Sequence, residues 1–192
     1  MFLFPEGGIV ATMAVDGVRT EVGLVGREGM IGLNTILGGS EIFESIVQVD
    51  NATAIAIPAE VMLAQHAQSA ALRQLVSHYL LYSMLQLSFS VVSRSNQMME
   101  ARLARWLLMC HDRMPGDEIP VTHEFLATMI SAQRSGVTVT LHLLEGEGLI
   151  RANRGRITIR DRGGLELLAG TTYGKAEATY SDLIDSFGKG RR

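Results

Sequence analysis

Polar and basic side chains gather around residues 133–145, where the apolar residues repeat with the period of a helix. Val137, Leu141 and Leu144 form the inward face of this predicted helix. The opposite face carries five polar residues, namely Gln133, Arg134, Ser135, Thr138 and His142. An arginine near the start of such a helix can pair with O6 and N7 of guanine, and short hydroxyl residues can contact phosphates or base edges. The spacing therefore predicts a helix that reads the major groove of DNA.

A cluster of arginines follows this helix. Residues 149–159 are typical of two short strands with a tight turn at residues 153–155. Five arginines accompany one acid, Asp161, and they are Arg151, Arg154, Arg156, Arg160 and Arg162. Such a cluster suits phosphate contacts, which supply salt-dependent and sequence-independent affinity. A hairpin with a solvated basic face is the alternative interpretation.

The segment before the polar helix completes a recognisable pattern. Thr122 is a suitable N-cap for a helix whose first turn contains Glu124. Its apolar face consists of Phe125, Leu126, Met129 and Ile130, and a short break at 131–132 follows. The order predicts a helix, a turn, a second helix and a two-stranded wing. The candidate DNA-binding residues are Thr122, His123, Gln133, Arg134, Ser135, Thr138, Arg151, Arg154 and Arg156.

A long apolar helix is predicted from about residue 72 to at least residue 94. Alternating steps of three and four residues relate Leu72, Leu75, Tyr79, Tyr82, Gln86 and Phe89. This spacing is typical of a coiled-coil seam, so these six residues are the predicted dimer interface. A central core helix covered on several sides is the alternative. The 20 residues between Arg73 and Arg94 carry no formal charge, but eight of them are polar, so no membrane span is expected.

Residues 1–58 are predicted to form β structure. Two β-rich runs, 10–15 and 18–25, meet at Asp16-Gly17, a pair that favours a hairpin turn. Several short strands with regular turns indicate a small barrel or sandwich, although four or five strands are few to close one.

A second strand pair is predicted in the same region. Residues 45–49 and 52–57 flank Asp50-Asn51, which is a turn signal. A helix of about residues 59–70 then begins at a proline, which suits the first turn of a helix.

The composition is that of a globular protein with an uneven charge distribution. The 192 residues are 47% apolar and 19% charged, with a net charge of −3, which excludes a disordered chain. Residues 1–93 contain eight acidic and three basic residues, whereas residues 94–162 contain ten arginines and eight acidic residues. The overall acidity therefore belongs to the N-terminal part and does not argue against a nucleic-acid partner.

Few residues could support other chemistry. Cys110 is the only cysteine, which excludes a disulfide framework and a Cys-rich metal site and fits a reducing compartment. His66 and His78 could ligate haem, but a lone histidine on a mostly apolar helix is more often structural. We find no catalytic triad or phosphate-binding loop, so no enzyme activity, cofactor or metal is predicted. The N-terminus lacks the features of a signal peptide, and a cytoplasmic protein is expected.

Residues 121–161, VTHEFLATMISAQRSGVTVTLHLLEGEGLIRANRGRITIRD, resemble the C-terminal winged helix-turn-helix of Crp/Fnr-family bacterial transcription regulators. Residues 21–39, EVGLVGREGMIGLNTILGG, resemble the late strands of their cyclic-nucleotide-binding-like β-roll. The long helix resembles their dimerisation helix. The resemblance implies an α+β fold in four segments, listed here: residues 1–70 (β-roll), 71–96 (dimerisation helix and hinge), 97–170 (winged helix-turn-helix) and 171–192 (C-terminal helix and tail).

The resemblance also implies a mode of action. A homodimer would place two recognition helices one DNA turn apart on a near-palindromic promoter site. Family members activate or repress by contacting or blocking RNA polymerase. The alternative function is a dimerisation or protein-interaction module with only residual DNA affinity.

Departures from the family pattern change what is expected of each part. The β-roll is expected to be N-terminally truncated, because family members have several strands before the one that MFLFPEGG resembles. Leu33 and Glu44-Ser45 stand where nucleotide-binding members have a glutamate and an Arg-Ser pair. Glu44 would repel a phosphate, so cyclic-nucleotide binding is not expected and any small-molecule effector is unknown.

The helix-turn-helix departs from the pattern as well. Ser135 and Val139 replace a glutamate and an arginine that are common in the family's recognition helix, so the target sequence should differ from that of cyclic-AMP-responsive members. Ser131 replaces a frequent glycine at the turn. A non-glycine residue in a left-handed turn costs about 1 kcal/mol.

Overall fold

The computed structural model describes residues 1–39, 43–47 and 53–185 and has the predicted α+β architecture. Its N-terminal elements are β1 (Phe2–Pro5), β2 (Val10–Asp16), β3 (Val18–Val25), α1 (Leu33–Ile36), β4 (Phe43–Val47) and β5 (Ala54–Ile57). Two helices follow, α2 (Ala59–Gln68) and the long α3 (Ala70–Asn96). The C-terminal elements are α4 (Met99–Arg113), β6 (Glu118–Pro120), α5 (His123–Met129), α6 (Arg134–Gly146), β7 (Ile150–Asn153), β8 (Arg156–Ile159), α7 (Arg162–Ala169) and α8 (Lys175–Leu183).

The N-terminal strands pair partly as predicted. β2 and β3 form the expected hairpin, and its turn contains Gly17 at a φ of 68°, a conformation that favours glycine. The hairpin predicted between residues 45–49 and 52–57 is wrong. β4 pairs antiparallel with β2, and β5 pairs antiparallel with β1. The turn signal at residues 50–51 lies outside the described residues.

The physical reason for the difference is that turn chemistry is local whereas strand pairing is not. β1 buries Phe2 completely and offers its edge to β5, with Phe2 opposite Ile57. A pairing between residues that lie more than fifty positions apart cannot be predicted from the residues next to either strand.

One face of α3 packs within its own subunit. The six buried residues of this face are Val76, Tyr79, Tyr82, Gln86, Ser90 and Ser93. Gln86 accepts a hydrogen bond from the backbone N–H of Leu24 at 2.6 Å and donates to the Tyr82 hydroxyl at 2.9 Å. Tyr79, Tyr82 and Gln86 belong to the predicted dimer seam, and the structure places these three side chains inward, so the predicted seam stays a prediction. Gln86 instead satisfies an open backbone group of β3, and the two tyrosines are buried in the N-terminal core.

The opposite face of α3 is apolar and open to solvent. Leu81, Met84 and Val91 are 44%, 58% and 53% exposed, respectively. Among the described residues, α3 is the one helix long and apolar enough to cross a membrane, and 28% of its most apolar window is buried. A contiguous apolar face of this kind indicates a surface that another molecule covers.

The C-terminal part contains the predicted helix, turn, helix and hairpin. β7 and β8 pair antiparallel as expected. A third strand, β6, was not predicted, and it pairs with β8 to give the order β6-β8-β7. β6 has only three residues and ends in a proline, so it carries no alternation that a sequence pattern could detect.

The core continues from the β2–β3 hairpin into the C-terminal part. Met13 and Leu24 belong to the same buried cluster as Leu107, Leu126 and Leu141. The proposed limits of the four segments therefore remain a prediction, because one apolar cluster joins the strands of the first segment to the helices of the third.

Arg94, at the end of α3, links the two parts by hydrogen bonds. It donates to the backbone oxygen and the carboxylate of Glu21 on β3 and, at 3.3 Å, to the backbone oxygen of Met129 on α5. Burial raises the pKa of the Glu21 carboxyl, and the charge of Arg94 opposes this shift. The end of α5 is thereby held against the edge of β3.

The C-terminal helix α8 returns to the N-terminal part of the chain. The Tyr180 hydroxyl donates to the backbone oxygen of Glu28 at 2.8 Å, and the Tyr180 ring meets the Tyr82 ring edge to face at 5.1 Å. The sequence predicts a helix between residues 171 and 192 but gives no role for it. The structure shows that this helix packs on α3, while residues 186–192 lie outside the described residues.

Ser131 lies in the turn between α5 and α6 with a φ of 52°, and within the described residues it is the one non-glycine residue with a positive φ. Replacing Ser131 with glycine should raise the free energy of unfolding by about 1 kcal/mol, because glycine adopts this conformation without steric cost. Chemical denaturation measures the difference. The matched control is Ser135→Gly, at a helical position, which should lower stability by about 0.5–1 kcal/mol. A lower stability for Ser131→Gly would contradict the expectation.

Candidate nucleic-acid interface

Helix α5 begins at the predicted cap and presents a polar N-terminus. The Thr122 hydroxyl accepts a hydrogen bond from the backbone N–H of Phe125 at 3.2 Å. Leu126, Ala127 and Met129 are buried, which fixes the helix against the core. Thr122 consequently lies exposed and His123 half-buried at the start of α5.

Helix α6 exposes the polar face that its sequence predicts. Val137, Thr140, Leu141 and Leu144 are its buried residues. Gln133 is the N-cap residue, and Arg134 and Ser135 form the exposed first turn. Residues at the start of such a helix are those that reach base edges when the helix enters a major groove.

His123 and Thr138 join α5 to α6. The Nδ1 atom of His123 lies 2.9 Å from the Thr138 hydroxyl oxygen, which also donates to the backbone oxygen of Arg134 at 3.1 Å. With that hydrogen donated to Arg134, the Thr138 oxygen accepts from a protonated Nδ1. The Thr138 hydroxyl is therefore occupied within the protein.

The wing exposes its arginines and is tied to α6. Arg151, Arg154 and Arg160 are exposed. Arg156 is also exposed and forms an ion pair with Glu118 of β6 at 2.8 Å, a surface pair that contributes little to stability. The Glu145 carboxylate accepts a hydrogen bond from the Ala152 N–H at 3.0 Å, which fixes the wing relative to the end of α6.

Arg162, the fifth arginine of the predicted cluster, has a different role. It donates to the carboxylates of Asp112 at 2.8 Å and Glu166 at 3.0 Å and to the Tyr173 hydroxyl at 2.6 Å. Burial is the largest single influence and would lower the pKa of Arg162, but Asp112, Tyr173 and Glu166 together outweigh burial and raise it. Arg162 therefore holds α7 to α4, and four arginines remain on the surface of the wing.

The structure brings the candidate residues together on α5, α6 and the wing. Each of the nine is exposed or half-buried: Thr122, His123, Gln133, Arg134, Ser135, Thr138, Arg151, Arg154 and Arg156. Val139, which the candidate set omits, is 60% exposed on the same helix. The sequence could have indicated Val139, because it follows Ser135 by four residues and the two side chains therefore lie on one face of α6.

The N-terminal part borders a separate, partly open cavity of about 770 Å³ between the β-strands, α1 and α3. Its lining includes Gly32, Leu33, Glu44 and Ser45, the positions that the sequence resemblance matches to a phosphate cassette. Arg19 is the one cationic side chain in this lining, among the residues that the structure describes, and its guanidinium forms an ion pair with the Glu44 carboxylate at 2.8 Å.

A comparison with known proteins identifies the C-terminal part. Residues 101–168 match the family model of the Crp-like helix-turn-helix domain. This range contains α5, α6, the wing and all nine candidate residues. No curated protein matches the chain.

Solved structures share the fold over most of the chain. FixK2 from Bradyrhizobium japonicum has a TM-score of 0.75 at 13% identity, over 88% of this chain and 87% of that one. The CRP-family transcriptional regulator TTHB099 from Thermus thermophilus has a TM-score of 0.72 at 22% identity, over 88% of each chain. The CRP/FNR-family regulator TTHA1359 from the same organism has a TM-score of 0.67 at 23% identity, over 88% of this chain and 87% of that one. At these identities the likeness establishes the fold. Residues 101–168 therefore form a Crp-like helix-turn-helix domain, and the chain has the fold of the solved CRP/FNR-family structures.

Proposed function

We propose that this protein is a transcription regulator that binds promoter DNA sequence-specifically as a homodimer. The main support is that residues 101–168 match a Crp-like helix-turn-helix domain, and that all the candidate DNA-contacting residues are exposed or half-buried. Helix α6 would enter the major groove, with Arg134 directed to a guanine. Arg151, Arg154 and Arg156 would contact phosphates beside the groove. Transcription would be activated or repressed by contacting RNA polymerase or by blocking its access to the promoter.

The exposed face of α3 supports the homodimer. Steps of four and three residues relate Ser77, Leu81, Met84, Ser88, Val91 and Ser95, which is the spacing of a coiled-coil seam. This outward seam lies on the face opposite Tyr79, Tyr82 and Gln86. Three of the six residues that the sequence predicts for the dimer interface, Tyr79, Tyr82 and Gln86, face inward. We therefore propose the outward seam as the dimer interface. Its serines allow two α3 helices to approach closely.

Replacing Met84 with glutamate should weaken the dimer at least tenfold, because each subunit would place a carboxylate in an apolar seam facing its own copy. Sedimentation velocity over a range of protein concentrations measures the dissociation constant. The control is Leu167→Glu, which adds the same charge at an 86% exposed position on α7 and should leave the dimer intact. A wild-type protein that stays monomeric at about 100 μM, or a Met84→Glu variant that dimerises as tightly as the wild type, would exclude this interface.

The cavity of the N-terminal part supports a regulator that does not depend on a cyclic nucleotide. A nucleotide phosphate in this cavity would lie beside the Glu44 carboxylate and would have to compete with it for Arg19. The side chains of this pair are 59% exposed for Arg19 and 48% exposed for Glu44, so the pair offers no preformed cationic site. We therefore expect DNA binding without an added cyclic nucleotide.

Duplex binding at increasing salt tests the proposed function. The full chain is mixed with duplexes selected from a random library, and fluorescence anisotropy gives the dissociation constant from about 50 to about 300 mM salt. A DNA-binding regulator should lose affinity linearly on a logarithmic scale as salt increases. Arg151→Ala should weaken binding to all duplexes alike and reduce the salt slope by about one.

The same experiment distinguishes the second candidate function. A dimerisation or protein-interaction module would retain the dimer of α3 and show no selected sequence and no binding even at about 50 mM salt. That result would overturn the proposed regulator.

A further inference from the structure

The second turn of α6 combines an exposed apolar residue with a hydroxyl that is already occupied. Val139 is 60% exposed, whereas its neighbour Thr140 is buried against the core. Within residues 121–162, all of which the structure describes, Val139 and Leu143 are the exposed large apolar side chains. Ser135, Val139 and His142 share the face opposite the buried residues.

Thr138, beside Val139, cannot act as a hydroxyl donor toward DNA in this arrangement. Its hydrogen is donated to the backbone oxygen of Arg134 at 3.1 Å, and its oxygen lies 2.9 Å from the Nδ1 atom of His123. The Thr138 oxygen keeps one acceptor lone pair, and the Thr138 methyl is the group left for an apolar contact. The first turn of α6 offers the hydrogen-bond donors Arg134 and Ser135, whereas the apolar groups of the second turn are the Val139 side chain and the Thr138 methyl.

The residue types at 137–140 favour a contact between this part of α6 and another molecule over a face that only meets solvent. Valine and threonine at 137–140 are β-branched and lower helix propensity compared with alanine. Burial explains Val137 and Thr140 but not Val139. A valine side chain in a helix strongly prefers a single χ1 rotamer, so its methyl groups are positioned before binding.

We propose that Val139, supported by the methyl of Thr138, is a specificity-determining residue that contacts the 5-methyl group of a thymine in the major groove. The proposal rests on the proposed DNA-binding function and adds a base preference to it. Thymine is the base that presents a methyl group in the major groove, and apolar side chains recognise it there. The thymine would lie close to the guanine assigned to Arg134, because the two residues stand on consecutive turns of one helix.

Replacing thymine with deoxyuridine tests the contact directly, since it removes only the methyl group. The full chain first selects its binding sequence from a random duplex library. We expect a thymine within a few base pairs of a conserved guanine in each half-site. Placing deoxyuridine at that thymine in both half-sites should weaken wild-type binding about threefold to tenfold, whereas deoxyuridine outside the half-sites should have no effect.

Val139→Ala supplies the matching protein variant. Alanine favours the helix, so the variant should fold, and it should bind thymine and deoxyuridine duplexes with equal affinity. The control is Leu143→Ala, one turn further along α6, which should keep the wild-type preference for thymine.

The outcomes separate this inference from the function on which it rests. If the wild type selects a duplex but shows no thymine near the guanine, or binds deoxyuridine and thymine equally, Val139 does not read a methyl group, and the DNA-binding function stands. If Val139→Ala keeps the full thymine preference, the contact belongs to another residue and the proposal is wrong. If no duplex binds at any salt concentration, the proposed function and this inference both fail.

Discussion

Replacing Arg113 with leucine should lower the free energy of unfolding by about 3–5 kcal/mol, the range seen when one partner of a buried ion pair is removed. The Arg113 side chain is 0% exposed, and its Nε donates to the Glu28 carboxylate, itself only 6% exposed, at 2.8 Å. The same guanidinium donates to the backbone oxygen of Met109 at 2.7 Å and to the Tyr82 hydroxyl at 2.5 Å. Leucine would leave a buried carboxylate without its cation and would remove one donor each from the Met109 oxygen and the Tyr82 hydroxyl.

The charge state of Arg113 follows from the same contacts. Burial is the largest single influence and would lower the pKa of Arg113, but Glu28, Tyr82, Glu177 and Asp112 together outweigh burial and raise it. Arg113 therefore stays protonated over the whole range in which the protein is folded, and its contribution to stability should not vary between about pH 6 and about pH 9.

Chemical denaturation measures the effect of Arg113→Leu, and two variants make the result interpretable. Arg160→Leu removes an arginine from the exposed wing and should change stability by no more than about 0.5 kcal/mol. Arg113→Leu combined with Glu28→Met removes both charges and should recover part of the loss, because no buried carboxylate is then left unpaired. A loss below about 1 kcal/mol for Arg113→Leu alone would show that the pair does not hold the subunit together.

This ion pair matters beyond its own energy because it joins three segments of the chain. Glu28 follows β3, Arg113 ends α4, and the backbone oxygen of Glu28 accepts from Tyr180 of α8. The helix-turn-helix domain is thereby connected to the N-terminal part through buried polar contacts as well as through the apolar core.

Replacing Arg134 with alanine should weaken binding to the selected duplex by about fivefold to 150-fold per half-site, which corresponds to about 1–3 kcal/mol for a bidentate arginine–guanine contact. Arg134 is exposed at the first position of α6 and makes no ion pair among the described residues, so its guanidinium is free to meet a base. The selected sequence should also lose its preference at one base pair in each half-site.

The loss of specificity distinguishes base reading from simple attraction. Arg151→Ala, in the wing, should lower affinity for all duplexes alike and keep the sequence preference. Fluorescence anisotropy with the selected duplex and with a scrambled duplex measures both variants. If Arg134→Ala weakens both duplexes equally, Arg134 contacts phosphate, and the guanine contact assigned to it is wrong.

Local patterns in the sequence predicted the C-terminal motif well. The Thr122 cap, the helical repeat of Val137, Leu141 and Leu144, and the turn at residues 153–155 are each determined by neighbouring residues, and the structure contains all three. The positive φ of Ser131 was also expected, because the resemblance places Ser131 where the family often has glycine at the turn. These features depend on capping, periodicity and turn chemistry, which act over a few residues.

Long-range contacts account for what the sequence did not predict. The partner of β4 is β2 and the partner of β5 is β1, because sheet edges are satisfied by whichever strand the whole chain brings there. β6 is a strand only because β8 lies beside it. Arg162 was assigned to the phosphate-contacting cluster by its neighbours, whereas in the structure it pairs with Asp112, fifty residues earlier, because an acidic partner is recognised in space and not along the chain.

The long helix separates most clearly what the sequence determines from what only the tertiary structure determines. Its length and its heptad spacing are properties of the sequence, and helix α3 confirms them. Two seams with the same spacing exist on α3, however, and the sequence alone could not say which one faces inward. The structure decided it, because Gln86 accepts a hydrogen bond from the Leu24 N–H of β3 and the Tyr79 and Tyr82 rings are buried in one cluster with Phe2 and Met30. Periodicity thus determined that the helix has apolar faces, and only the elements packed against it decided which face remains for a partner.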